Sequence, residues 1–214
     1  MKRSDRIPPA RVRAAAALAA ASALALAACA TPPAGSGTPA PRTLGSVHPA
    51  PPEGEVAAQG TVMDVGGRVE LCLGPIAESY PPQCSGIPMD LWSWDNIEGS
   101  ETSGDVTWGA YAVQGTYDGE TISVTQPPVM LALFDPMPFP DPTGGKAGEG
   151  DEATAAAIQE ELPDLLGADY LSSYPENGYV WVDAVWDDGT LQDAADADYG
   201  ENTVVIRSAL RPLG

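Results

Sequence analysis

Two proline-rich stretches decide how much of this 214-residue chain can pack. The first runs from Ala30 to Glu55. It holds Pro32, Pro33, Pro39, Pro41, Pro49, Pro51 and Pro52, and most of its other residues are Gly, Ser, Thr or Ala. Such a segment buries too little apolar surface to offset its ordering entropy and is predicted to be a disordered tether. As a flexible coil it would reach about 28 Å, and as polyproline II about 80 Å. The second stretch, 126–150, divides what remains. Inside it Val129 to Phe134 is an apolar run that reads as a short buried strand, and 139–150 reads as a linker or loop. Two blocks are left, 56–138 and 151–214.

The first block reads as β. Gly60 to Val65 and Arg68 to Leu73 flank a Gly66-Gly67 turn, and Ile87 to Trp94 reads as a further strand. Val106 to Tyr117 and Glu120 to Thr125 flank Asp118-Gly119, a pair suited to a type I′ hairpin turn. Short strands with regular turns point to a small antiparallel barrel or sandwich, an OB-like five-stranded barrel among the options. The second block reads as a smaller α/β segment, giving an α+β chain overall. Ile158 and Leu162 lie one turn apart in a helix from Glu152, which Pro163 stops or restarts. Gly178 to Trp186 is a strand. Thr190 is placed to cap a helix from Leu191 to about Asp198, with Asp193 at the capping-box position. Thr203 to Leu210 is a final strand. The connection from Asp187 to Asn202 is long enough for a parallel crossover, and an antiparallel arrangement stays open.

The charge is lopsided. Ten Lys and Arg stand against 30 Asp and Glu. Five of the cations (Lys2, Arg3, Arg6, Arg11, Arg13) precede residue 29, with one anion, Asp5. From Cys29 onward the chain therefore carries five cations against 29 anions, a formal charge of −24. Phosphate contacts need clustered Lys and Arg, so nucleic acid is not an expected partner. The same charge argues against a polybasic grip on anionic lipid.

Met1 to Arg13 is cationic, and Ala14 to Ala28 is an uncharged run of Ala, Leu and one Ser. Its length suits a secretory h-region and falls short of the ~20 residues that span a bilayer as a helix. The run closes on Leu26-Ala27-Ala28-Cys29, followed by Ala30-Thr31-Pro32-Pro33. This resembles the lipobox of bacterial lipoproteins. The resemblance implies a signal peptide over 1–28, cleavage before Cys29, and a diacylglyceryl group on its thiol. Two acyl chains suffice for stable anchoring to a membrane. Segments of the body, Glu70-Leu-Cys-Leu-Gly, Tyr80-Pro-Pro-Gln-Cys, Gly115-Thr-Tyr-Asp-Gly and Asp188-Gly-Thr-Leu-Gln, resemble envelope lipoproteins of bacteria with high-GC coding bias, a group that carries no assigned activity.

With Cys29 acylated, Cys72 and Cys84 remain as an even pair in an oxidising compartment. They are expected to form a disulfide that closes a short loop, worth ~3 kcal/mol in the chain-entropy view.

The only His, His48, lies in the tether, so His-based catalysis is not expected in the body. No Gly-x-Ser-x-Gly elbow occurs. The run from Thr143 to Gly148 departs from a phosphate loop at Pro140 and Ala147. No metal or cofactor is expected. Three features stay open. Asp183 is either a half-buried strand carboxylate with a raised pKa or a partner for Arg207 or Arg211. Asp187, Asp188, Asp193, Asp196 and Asp198 are either a Ca²⁺ site or a solvated face. Trp92 and Trp94, on one side of a strand, with Trp108, Tyr111 and Tyr117, are either a β core or a platform for carbohydrate or peptide. The expectation is a lipid-anchored, extracytoplasmic binding or interaction module without catalysis, whose partner is an envelope protein or glycan. The alternative is an envelope enzyme that uses carboxylates on glycan.

Overall fold

The computed structural model describes residues 43–213. The expected signal peptide, Cys29 with its lipobox-like run, and the expected tether as far as Arg42 lie outside them. The described residues form a mixed α+β fold with two α-helices.

β1 (Glu55–Val65) turns at Gly66-Gly67 into β2 (Arg68–Cys72). Both glycines have positive φ, 60° and 92°, as a two-residue hairpin turn requires. Chain order continues through β3 (Ile87–Asp90), β4 (Glu101–Ser103), β5 (Val106–Tyr117), β6 (Ile122–Val124) and β7 (Val129–Met130). β1 and β5 pair antiparallel along their whole length, from Glu55 opposite Thr116 to Val65 opposite Val106. The cyclic order β1-β2-β3-β6-β5-β1 closes a five-stranded barrel. Its pairs are antiparallel except β3 with β6, which is parallel. Closure brings backbones close, and a Cβ at Gly60 would strike the Cys72 carbonyl. β4, β6 and β7 share one edge of β5.

The β5–β6 connection differs from the expected type I′ turn. Only Gly119 takes positive φ (103°). Asp118 instead uses its carboxylate to accept the Glu120 and Thr121 amides, at 2.9 and 2.7 Å. An Asx-type turn thus replaces the left-handed Asp. The strand expected over Ile87–Trp94 stops at Asp90, because Leu91 adopts φ 61° and turns the chain out of the sheet. The Val129–Phe134 run is not a buried strand. It gives two residues of β7 and a single 3-10 turn, with Val129 and Leu133 exposed.

The second block is α1 (Glu152–Leu166), β8 (Tyr170–Glu176), β9 (Tyr179–Ala184), α2 (Thr190–Tyr199), β10 (Val204–Ser208) and β11 (Arg211–Pro212). β8 and β9 form an antiparallel hairpin, while β9 and β10 are parallel across α2. α1 begins at Asp151, whose carboxylate accepts the Thr154 amide. It runs through Pro163 rather than stopping there, since Leu162 and Leu166 both bury against the sheet. α2 is not capped by Thr190. Asp187 accepts the Leu191 and Gln192 amides, at 2.8 and 3.3 Å, and Asp188 accepts that of Thr190. Carboxylates are well suited to the positive end of a helix dipole.

The apolar sides of α1 and α2 cover one face of this sheet with Ile158, Leu162, Leu191 and Ala194 over Val180, Val182 and Val204. The opposite face carries Tyr179, Trp181 and Val205. The expected linker, 139–150, is strapped to that side: Phe139 lies under the Arg207 and Arg211 guanidinium groups. The Gly148 and Gly150 amides donate to Asn177 and Gly178. The barrel core, built on Val56, Val62, Leu71, Tyr111, Val113 and Ile122, also takes in Val185 and Leu210 from the second block. β11 then pairs with β1. The two blocks share a core.

The described part of the tether corrects the disordered reading. Leu44 is 1% exposed and sits in the helix–sheet core. Its amide donates to Asp198, the Ala50 amide donates to Asp188, and the Trp186 indole donates to the Ala50 carbonyl. Proline content marks a chain that makes no ladder. It does not exclude one held by side-chain acceptors on another element.

Candidate functional site

Leu91 opens a loop that runs to Ser100 and returns along β4. Its aromatic residues pack inward. Trp92 and Trp94 meet edge to face at 5.1 Å, and both rings lean on Tyr111 of β5, at 5.6 and 6.2 Å. The Trp94 indole N–H donates to Asp64 at 3.0 Å, and the Tyr111 hydroxyl donates to the Glu98 carbonyl at 3.0 Å. Burial pushes the Tyr111 phenol up in pKa, with a hydrogen bond to Ser100 acting in the opposite direction, so it stays a donor. These bonds pin the loop to the barrel wall. The Trp92 indole N–H is buried without a partner.

Between this loop and the segment 124–133 lies a cleft of about 660 Å³. Trp92 and Tyr111 line it with Ile97, Pro127, Pro128 and Met130. Its rim is apolar and open to solvent: Leu91 is 79% exposed, Leu133 74% and Val129 41%. Leu91 is held there by a left-handed backbone (φ 61°), which is unfavourable for a branched side chain. The charged side chains on the lining, Asp95 and Glu98, are acidic. The arrangement can take an apolar, uncharged or basic segment.

The five aromatic residues expected to act together are split. Trp92, Trp94 and Tyr111 form one cluster, in which Tyr111 is fully buried and the rings engage one another rather than presenting a flat platform. Trp92 and Trp94 also belong to a loop, not a strand. Trp108 stands apart on β5, edge-on to Tyr80 at 5.5 Å. Tyr117 is buried at the far end of β5, where its hydroxyl donates to the Gly119 carbonyl. Burial first, then nearby Asp169, Asp118 and Glu120, push its pKa up to about 12.

Cys72 and Cys84 are disulfide-bonded, with Cα atoms 6.1 Å apart. Asp183 accepts the Arg207 Nε–H and the Ser172 hydroxyl, each at 2.9 Å. Val185 lies beyond the end of β9, in the barrel core. In the acidic cluster, Asp187, Asp188, Asp196 and Asp198 each accept a hydrogen bond from α2, the tether or Gln192. His48 is not remote from the body. It lines a cleft with Tyr117, Asp118, Glu120 and Asp169. Leu91 and Leu133 fall inside runs that read as strands, and nothing in the sequence marks either as an exposed rim residue. Comparison with known family models, curated proteins and solved structures finds no match.

Proposed function

We propose that this chain is a lipid-anchored, extracytoplasmic binding module of the cell envelope, acting without catalysis, and that it takes an apolar segment of an envelope protein in the Trp92 cleft. The lipobox-like Leu26-Ala27-Ala28-Cys29 after an uncharged run supports the anchor and the compartment. The observation that carries the binding reading is the open apolar rim, Leu91, Val129 and Leu133, around a cavity floored by Trp92 and Tyr111. Pockets of several hundred Å³ with apolar walls are the usual form of a ligand site. A cyclic five-stranded order with one parallel pair also supports an OB-like reading of the barrel. Ligands of such barrels bind at the strand face and adjoining loops, and the Trp92 cleft is made from the loops after β3 and β6. The usual OB ligand, single-stranded nucleic acid, conflicts with the charge of −24.

Two experiments test this. Cys29→Ala should release the protein from membranes or block its processing, and unchanged membrane fractionation would end the anchor reading. A peptide array probed with purified protein should favour apolar, non-acidic sequences, with binding reduced at least tenfold by Leu133→Asp and unaffected by Trp108→Ala. Equal binding by Leu133→Asp would remove the cleft from consideration.

A further inference from the structure

Among the described residues seven carboxylates are partly buried: Glu55, Asp64, Glu70, Asp169, Asp183, Asp187 and Asp196. Six accept a hydrogen bond. Glu55 takes one from Gln114, Asp64 from Trp94, Glu70 from Arg68 and Gly86, Asp183 from Arg207, Asp187 from α2 amides, and Asp196 from Gln192. Asp169 is the exception, its carboxylate having no donor or ion-pair partner there. Burial removes part of its hydration, and no protein donor replaces what is lost.

Its setting is well defined. Asp169 ends the 3-10 turn Gly167–Asp169 between α1 and β8, and its carbonyl accepts the Val185 amide at 2.9 Å, which fixes the residue. Two clefts meet at its side chain. One, of about 450 Å³, runs between barrel and sheet and is walled by Leu73, Ile87, Pro88, Leu171 and Val185. The other, of about 410 Å³, is bounded by His48, Pro49, Pro51 and Asp118. Tyr117, Gly119, Glu120 and Asp169 line both, and no Lys or Arg lines either. Burial pushes the Asp169 carboxyl up in pKa, and nearby His48 acts in the opposite direction.

We propose that this double cleft is a binding site for a small organic amine, its ammonium seated on the Asp169 carboxylate and its alkyl or aryl body against Leu73, Ile87 and Leu171. An ammonium offers three donors to an acceptor that has none. Asp118, Glu120 and Asp169 repel carboxylates, and a neutral alcohol offers Asp169 one donor and no charge. The apolar wall separates this site from one for a bare inorganic cation, which needs six or more oxygen ligands.

Calorimetric titration of the purified protein with n-hexylamine, hexan-1-ol and methylamine tests it, and the comparison on the unaltered protein needs no variant. Hexylamine is expected to bind at least tenfold more tightly than either control. Asp169→Asn should abolish that preference while raising the thermal midpoint at pH 7, which a structural carboxylate would not do. The sign follows from linkage. A carboxyl raised by burial contributes stability that is complete below its unfolded pKa and lost as pH rises through its folded one. The gain from Asp169→Asn should therefore vanish near pH 3. The groups facing Asp169 are His48, Tyr117, Asp118 and Glu120. Leu91→Asn, in the other cleft, should leave hexylamine binding unchanged. Equal binding of hexylamine and hexanol, or hexylamine binding retained in Asp169→Asn, would overturn the site. Glycan cleavage by wild type that is lost in Asp169→Asn would do the same, assigning the carboxylates to acid–base chemistry.

Discussion

Leu91 shows how a single residue is spent on something other than stability. A left-handed backbone costs an L residue with a branched side chain roughly 1–2 kcal/mol, and solvent exposure of 79% returns nothing from burial. Asn tolerates that conformation, because its short polar side chain bonds locally. Leu91→Asn should therefore raise stability by about 1 kcal/mol, or about 2–4 °C in Tm for a chain of this size. It should also weaken binding of any apolar peptide at the Trp92 cleft. Thermal melts and the peptide array read the two effects separately. A lowered Tm would mean that Leu91 packs in solution, and the rim would lose one of its walls. Nothing in the local sequence, Met89-Asp-Leu-Trp, signals this geometry. Apolar alternation there reads as a continuing strand, and only the backbone angle at one position ends it.

At the scale of elements, what the sequence revealed was whatever local chemistry decides. The Gly66-Gly67 hairpin, the β9–α2–β10 unit and the Cys72–Cys84 bond all rest on turn residues, periodicity or cysteine count, and all are present. What escaped is decided by distant partners. β8, Tyr-Leu-Ser-Ser-Tyr-Pro-Glu, has no clean alternation and exists because β9 offers a ladder. Composition alone makes the tether disordered, yet Leu44 fills a gap between α1 and α2, with Asp198 and Asp188 holding the backbone around it. Full burial of a Leu side chain contributes about 1.5–3 kcal/mol, and truncation leaves a cavity as well. Leu44→Ala should thus cost roughly 2–4 kcal/mol in denaturant unfolding. It should also expose the 43–54 segment to protease before the body unfolds. An unchanged unfolding midpoint would return this segment to the status of a free leader.

For the whole molecule, the two blocks were divisible in sequence because the Pro/Gly-rich stretch between them looks like a linker. The packing argues otherwise. Leu210 is fully buried in the barrel core although it follows β10, and Val185 joins it from the end of β9. β11 adds a strand to the barrel by pairing with β1, and the Leu213 amide donates to Glu55. The strap from Phe139 to Gly150 closes over the outer face of the second sheet instead of swinging free. Neither block keeps its core intact alone, so a single cooperative transition is expected. Leu210→Ala provides the test, because truncating a buried Leu costs about 2–5 kcal/mol and this one belongs to the barrel by contact and to the second block by chain. Far-ultraviolet dichroism, weighted to α1 and α2, and fluorescence, drawn in part from Trp92 and Trp94, should shift together to a lower denaturant midpoint. If fluorescence moved while the helical signal stayed in place, the blocks would be separate folding units. The Asp169 double cleft, built from β3, the β5–β6 turn and the α1–β8 connection, would then lie across a mobile joint rather than within one rigid body.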